Sequence, residues 1–130
     1  MKKLMIQDIY PVLSMELSKK ETQATSIDAI LDFLKARVDE HAIAAYIGIF
    51  DHYSHTQSLP EGEIAPEILD AKNLLFCFGV KLPNPNVLAL RPRSIGVAEL
   101  ADRFVISYME APMPMANQAV ESWLQALKAQ

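Results

Sequence analysis

The sequence predicts an α+β fold: a mostly antiparallel five-stranded sheet in β-α-β(4)-α order, with both helices on one face. Three observations predict it. Tyr10 to Lys19 alternates, with Leu13, Met15 and Leu17 on one side and Val12, Ser14 and Glu16 on the other; a period of two marks a half-buried strand. Two segments carry one apolar stripe each at helical spacing, Ile27, Ile30, Leu31, Leu34 and Val38 in the first and Ala116, Val120, Trp123, Leu124 and Leu127 in the second. Between them the strand-like stretches follow one another on short links, which favours antiparallel pairing.

Taken in order, residues 1–9 read as a loose lead-in or a short helix. After the first strand, the polar run Lys20 to Ala24 turns the chain. Thr25 or Ser26 caps the first helix, with Asp28 near its positive end, and the helix ends near His41. Ala42 to Asp51 reads as a strand with Ile43, Ala45, Ile47 and Ile49 on one side and Ala44, Tyr46, Gly48 and Phe50 on the other. Asp51 to Pro66 is the longest irregular segment, part of which coils into a helical turn; its length makes it the first place to look for function. Leu74 to Val80 is too short for a buried helix and rich in aromatics. It reads as the centre of a strand from about Ala71 to Val80, the middle of the sheet, apolar on both faces. Asn86 to Leu90 forms a short helix among prolines. Arg93 to Leu100 and Arg103 to Glu110 make a hairpin about Ala101-Asp102. Pro114 stands in the first turn of the last helix.

At 130 residues the chain reads as one domain, residues 1–130, able to bury a core without staples. The formal net charge is −4, and with no basic stripe nucleic acid is not an expected partner. One cysteine excludes an internal disulfide and a four-cysteine metal site, and suits a reducing compartment. Cys77 sits among apolar neighbours and reads as a buried, inert thiol. The apolar run at Leu4-Met5-Ile6 stops at Gln7-Asp8, too short for a signal peptide. No stretch approaches the roughly 20 apolar residues of a membrane span. The expectation is a cytoplasmic protein with no membrane partner. The four glycines lie singly at 48, 62, 79 and 96, which leaves no glycine-rich phosphate loop, and no serine sits in a nucleophile elbow.

Ile49-Phe50-Asp51-His52 at a strand end, Leu74 to Gly79 before a Pro/Asn-rich turn, and a closing hairpin over Arg93 to Tyr108 together resemble the small bacterial family catalogued as domain of unknown function 302. The resemblance covers roughly residues 10–127. It implies the β-α-β(4)-α sheet with both helices on one face, and no established activity. The sequence departs from that family's pattern after Gly79, where Val80-Lys81 replaces an Asn-Pro and Pro83-Asn84-Pro85 follows downstream.

Asp51-His52-Tyr53-Ser54-His55 is the one clustered titratable group. Two histidines and a carboxylate at a strand end are candidates for holding a divalent metal or for acid–base work. The plainer alternative makes Asp51 a cap and the histidines exposed loop residues. Tyr46, Phe50, Phe76 and Phe78 are candidates for lining an apolar pocket, or for plain core. Arg91 and Arg93 bracket Pro92 and are candidates for an anion, with a solvated pair the plainer expectation.

The two helical stripes cover one sheet face, yet several strands are apolar on both. The second face therefore needs cover from the 51–66 segment anchored by Leu59, Ile64 and Ile68, from a second subunit, or from a ligand. The expected function is a self-associating binding module, a homodimer with room for a small apolar ligand on the open sheet face. The alternatives are a small metal-dependent or acid–base enzyme using Asp51, His52 and His55, and a protein-interaction adaptor acting through the Pro/Asn turn at 83–86.

Overall fold

In the computed structural model, which describes residues 1–130, these patterns become six strands, three α-helices and a 3-10 helix. The order is β1 (Lys2–Ile6), β2 (Tyr10–Ser18), α1 (Ile27–Glu40), β3 (Ala45–Phe50), α2 (His52–Ser58), β4 (Asp70–Cys77), the 3-10 helix (Pro85–Leu90), β5 (Arg93–Glu99), β6 (Arg103–Met109) and α3 (Pro114–Lys128). The strands form one sheet in the order β1-β2-β6-β5-β4-β3, every neighbouring pair antiparallel.

Both predicted helical stripes are buried residue for residue, Ile27, Ile30, Leu31, Leu34 and Val38 on α1 and Ala116, Val120, Trp123, Leu124 and Leu127 on α3. Ser26 is the N-cap of α1, its side chain accepting from the Ala29 N–H at 3.0 Å. The stripes pack on the sheet face that carries Leu13, Met15 and Leu17 of β2, Phe104, Ile106 and Tyr108 of β6, Ile95 and Val97 of β5, and Leu74 and Phe76 of β4. Each fully buried side chain of this size contributes about 1.5–3 kcal/mol. This layer is the hydrophobic core; no polar residue is buried in it. At its edge Lys72 reaches Asp28 of α1 at 2.9 Å, a hydrogen bond that raises the lysine pKa and ties β4 to the start of the helix.

Four expectations are corrected. Residues 2–6 are a sixth strand rather than a lead-in: β1 pairs with β2 through a three-residue turn, Gln7 to Ile9, in which Gln7 and Asp8 hold left-handed φ of 53° and 62°. Helix α2 interrupts the run of strands, so the order is not β-α-β(4)-α. The strand around Leu74–Phe78 lies next to the sheet edge, and β5 and β6 hold the middle. Finally, β3 does not alternate cleanly. A register shift between Tyr46 and Gly48 puts Tyr46 opposite Phe76 and Ile49 opposite Leu74, both on the helix side, and turns Phe50 to the other face opposite Asn73. A bulge inserts one residue and flips the side chains that follow. No helix is long and apolar enough to cross a membrane.

Candidate functional site

Asp51, His52 and His55 come together at the start of α2. Asp51 is its N-cap, accepting from the Ser54 N–H at 3.0 Å. That backbone hydrogen bond holds its carboxyl below the usual carboxylate range. The carboxylate therefore serves the helix end and bonds neither imidazole. His52 Nδ1 lies 3.3 Å from Asn73 Oδ1 on the neighbouring strand. His52 and His55 flank the Phe50 ring at centroid distances of 5.2 and 5.4 Å. Both histidines are exposed, and Phe50 is 39% exposed. No three His, Cys, Asp or Glu side chains gather as a metal site would require. What the cluster offers is an aromatic–imidazole patch at the sheet edge. Beside it, a cavity of about 260 Å³ is lined by His52, Tyr53 and Thr56 of α2, by Ile64, Ala65 and Ile68 of the return segment, and by Ala71. The segment after Asp51 thus does fold back on the second face, through Ile64 and Ile68, while Leu59 stays exposed. It covers only the β3–β4 end.

The four candidate pocket aromatics are separated. Phe76 and Phe78 are buried beside Trp123, at 5.8 and 6.5 Å between centroids. Tyr46 is half-buried against the same core. Phe50 lies on the opposite face, because the bulge in β3 turns it there. Cys77 is half-buried and unpaired.

The rest of the second face is open. Opposed residues across an antiparallel ladder share a face, which gives a row of Phe50, Asn73, Gly96, Ser107, Ser14 and Lys2 from one edge to the other. A second row runs through Leu75, Ser94, Val12 and Leu4, with Met109 beside Val12. The row centres are small, so the surface is flat: a Cβ at Gly96 would already touch Asn73 at 3.4 Å. At the β1–β2 end the apolar groups stand out, with Leu4, Ile6 and Ile9 exposed by 43, 48 and 64%.

Sequence reasoning missed one polar assembly. Arg93 is half-buried rather than solvated. Its Nη2 donates to the carbonyls of Met109 at 2.6 Å and Glu110 at 2.8 Å, and its Nη1 to that of Leu90 at 3.3 Å. Next to it the Tyr108 hydroxyl donates to Asn117 Oδ1 at 3.0 Å. Asn117 also accepts from the Ala111 N–H at 2.8 Å and donates to the Ala111 carbonyl at 2.9 Å. Burial, the largest influence, raises the Tyr108 pKa. The network fixes the path from β6 into α3. The available signal was the Arg91-Pro92-Arg93 bracket before a strand and a single asparagine one turn into a helix, and neither spacing announces the other as a neighbour.

The chain is thus an α+β domain with a one-sided helical layer. It matches a family of unknown function, DUF6858, over residues 1–129, and belongs to that family. No curated protein and no solved structure matches it. Nothing in these comparisons links it to the domain of unknown function 302 family, whose implied strand order also lacks β1 and α2.

Proposed function

We propose that this chain is a self-associating binding module, and that the open sheet face with the β1–β2 hairpin meets a second copy of itself. The observation that carries this is an excess of surface. The chain exposes 8011 Å², whereas a folded monomer of 14.5 kDa is expected to expose about 6,900 Å². The surplus, about 1,100 Å², is comparable with the ~800 Å² that each partner contributes to an ordinary interface. Much of it is the hairpin, all five residues of β1 being exposed.

The chemistry of the face favours another copy over an unrelated partner. Its groove at the β1–β2–β6 end, about 450 Å³, is bordered by three cations, Lys2, Arg103 and Lys128, and three acids, Glu16, Glu21 and Asp102. A surface balanced in this way can meet itself about a two-fold axis, the commonest arrangement. The small glycine and serine residues at the row centres allow two sheets to approach to about 10 Å. Ile6→Lys and Met109→Lys test the surface, because both side chains are exposed in the isolated chain and neither is needed for its core. Size-exclusion with light scattering should show each variant shifted to monomer with unchanged circular dichroism. Variants that associate as the parent does would place the contact elsewhere.

The acid–base enzyme alternative gains nothing from the site, since Asp51 is engaged as a cap. A ligand on the open face remains compatible with the dimer, held between the two sheets.

A further inference from the structure

We infer that the chain has a second binding site, on the helix-bearing side, for a small carboxylate with a short apolar or aromatic body. A cavity of about 150 Å³ lies between the 3-10 helix, the 111–113 connection and the start of α3. Its walls include Phe78, Val87, Leu90 and Met113, and its two charged side chains are Arg91 and Arg93. No acidic side chain lines it, and neither arginine takes part in an ion pair. In a chain of net charge −4, two half-buried guanidinium groups without a carboxylate between them are a favourable setting for an added anion.

The guanidinium groups are also held in place. Three backbone carbonyls fix Arg93. The Lys81 carbonyl accepts from Arg91 Nη1 at 2.6 Å. Arg91 further lies across Gly79, where a Cβ would come within 2.5 Å of the guanidinium carbon. Each arginine has five N–H donors, so both keep donors for a ligand after these bonds. The start of α3 adds to the field. Met113 caps it without a side-chain hydrogen bond, and Met113 and Ala116 line the cavity, so the start of the helix, its positive end, borders the same space. A cavity of about 150 Å³ lined by apolar groups is the size that takes a benzene ring. The fitting ligand is therefore a benzoate-like or short branched monocarboxylate, its carboxylate toward the arginines and its body against Phe78 and Val87.

Titration calorimetry of the full chain with sodium benzoate tests this, with acetate, benzyl alcohol and inorganic phosphate run beside it. Saturable benzoate binding is expected, at least tenfold tighter than any of the three. Arg91→Gln should weaken it tenfold or more. Val87→Phe should abolish it by filling the space, on a 3-10 helix that buries no residue, and unchanged circular dichroism verifies that the fold is intact. No saturable benzoate signal would overturn the proposal. So would phosphate binding as tightly as benzoate, or benzoate binding unchanged in Arg91→Gln.

Discussion

Asn117→Ala tests the polar assembly that joins β6 to α3. The substitution leaves three groups without their partner: the Tyr108 hydroxyl, the Ala111 N–H and the Ala111 carbonyl. A buried unsatisfied group costs about 1–3 kcal/mol. Tyr108 is fully buried, so its hydroxyl bears that cost, while half-buried Ala111 regains some water. The expected loss is about 2–4 kcal/mol, which for a chain this long lowers Tm by about 8–15 °C. Asn117→Asp keeps both acceptor contacts but sets a carboxylate oxygen against the Ala111 carbonyl where the amide donated, so it should also destabilise. Urea unfolding followed by Trp123 fluorescence measures both, since Trp123 is the single tryptophan and packs among Phe76, Phe78 and His41. All variants must be compared at one protein concentration, because association would add to apparent stability. A double-mutant cycle with Tyr108→Phe should return a coupling of at least about 0.5 kcal/mol. A loss in Asn117→Ala under about 0.5 kcal/mol, the range of exposed sites, together with no coupling, would refute the reasoning.

Three further outcomes are expected. Gln7→Asn with Asp8→Gly should stabilise the β1–β2 hairpin by about 1 kcal/mol, since both positions hold left-handed φ values that asparagine and glycine adopt more cheaply; amide exchange across β1 would slow, and unchanged exchange would count against the turn assignment. Tyr108 has its pKa raised by burial, so the stability it contributes is full below its unfolded pKa of about 10 and is lost as pH rises through the higher folded value. Above about pH 10 the parent should therefore lose stability more steeply than Tyr108→Phe, and parallel pH profiles would contradict the burial. His52→Ala and His55→Ala should each shift Tm by no more than about 2 °C, as exposed side chains do, and zinc should raise the parent's Tm by no more than it raises theirs; a zinc shift seen only in the parent would revive the metal site.

The sequence made the helix layer fully legible because helical spacing leaves little choice: ten stripe residues must share a side, and all ten are buried together. The β5–β6 hairpin was equally clear, since alternation runs unbroken on both sides of Ala101-Asp102. β1 was not, because Lys2 to Ile6 shows no burial pattern at all and forms only by pairing with β2. α2 carries no apolar stripe and starts on a cap, so only Asp51 hinted at it. The prominence of Leu74 to Val80 misled about position, because Leu75 and Cys77 sit half-exposed on the open face rather than under a second layer. Apolar residues on both sides of a strand marked a surface that needs a partner, and they did not reveal which strand lies at the centre. For the Asp51-His52-His55 cluster the sequence left the cap and the site readings side by side, and a cap contact made within three residues decided the role of the carboxylate.

The most direct test of self-association is sedimentation equilibrium of the unmodified chain across micromolar concentrations and at several salt levels. A particle of twice the 14.5 kDa chain mass, dissociating reversibly on dilution, is the predicted result. A single species at the mass of one chain, under every condition including the lowest salt, would contradict it and leave the open sheet face without the partner assigned to it.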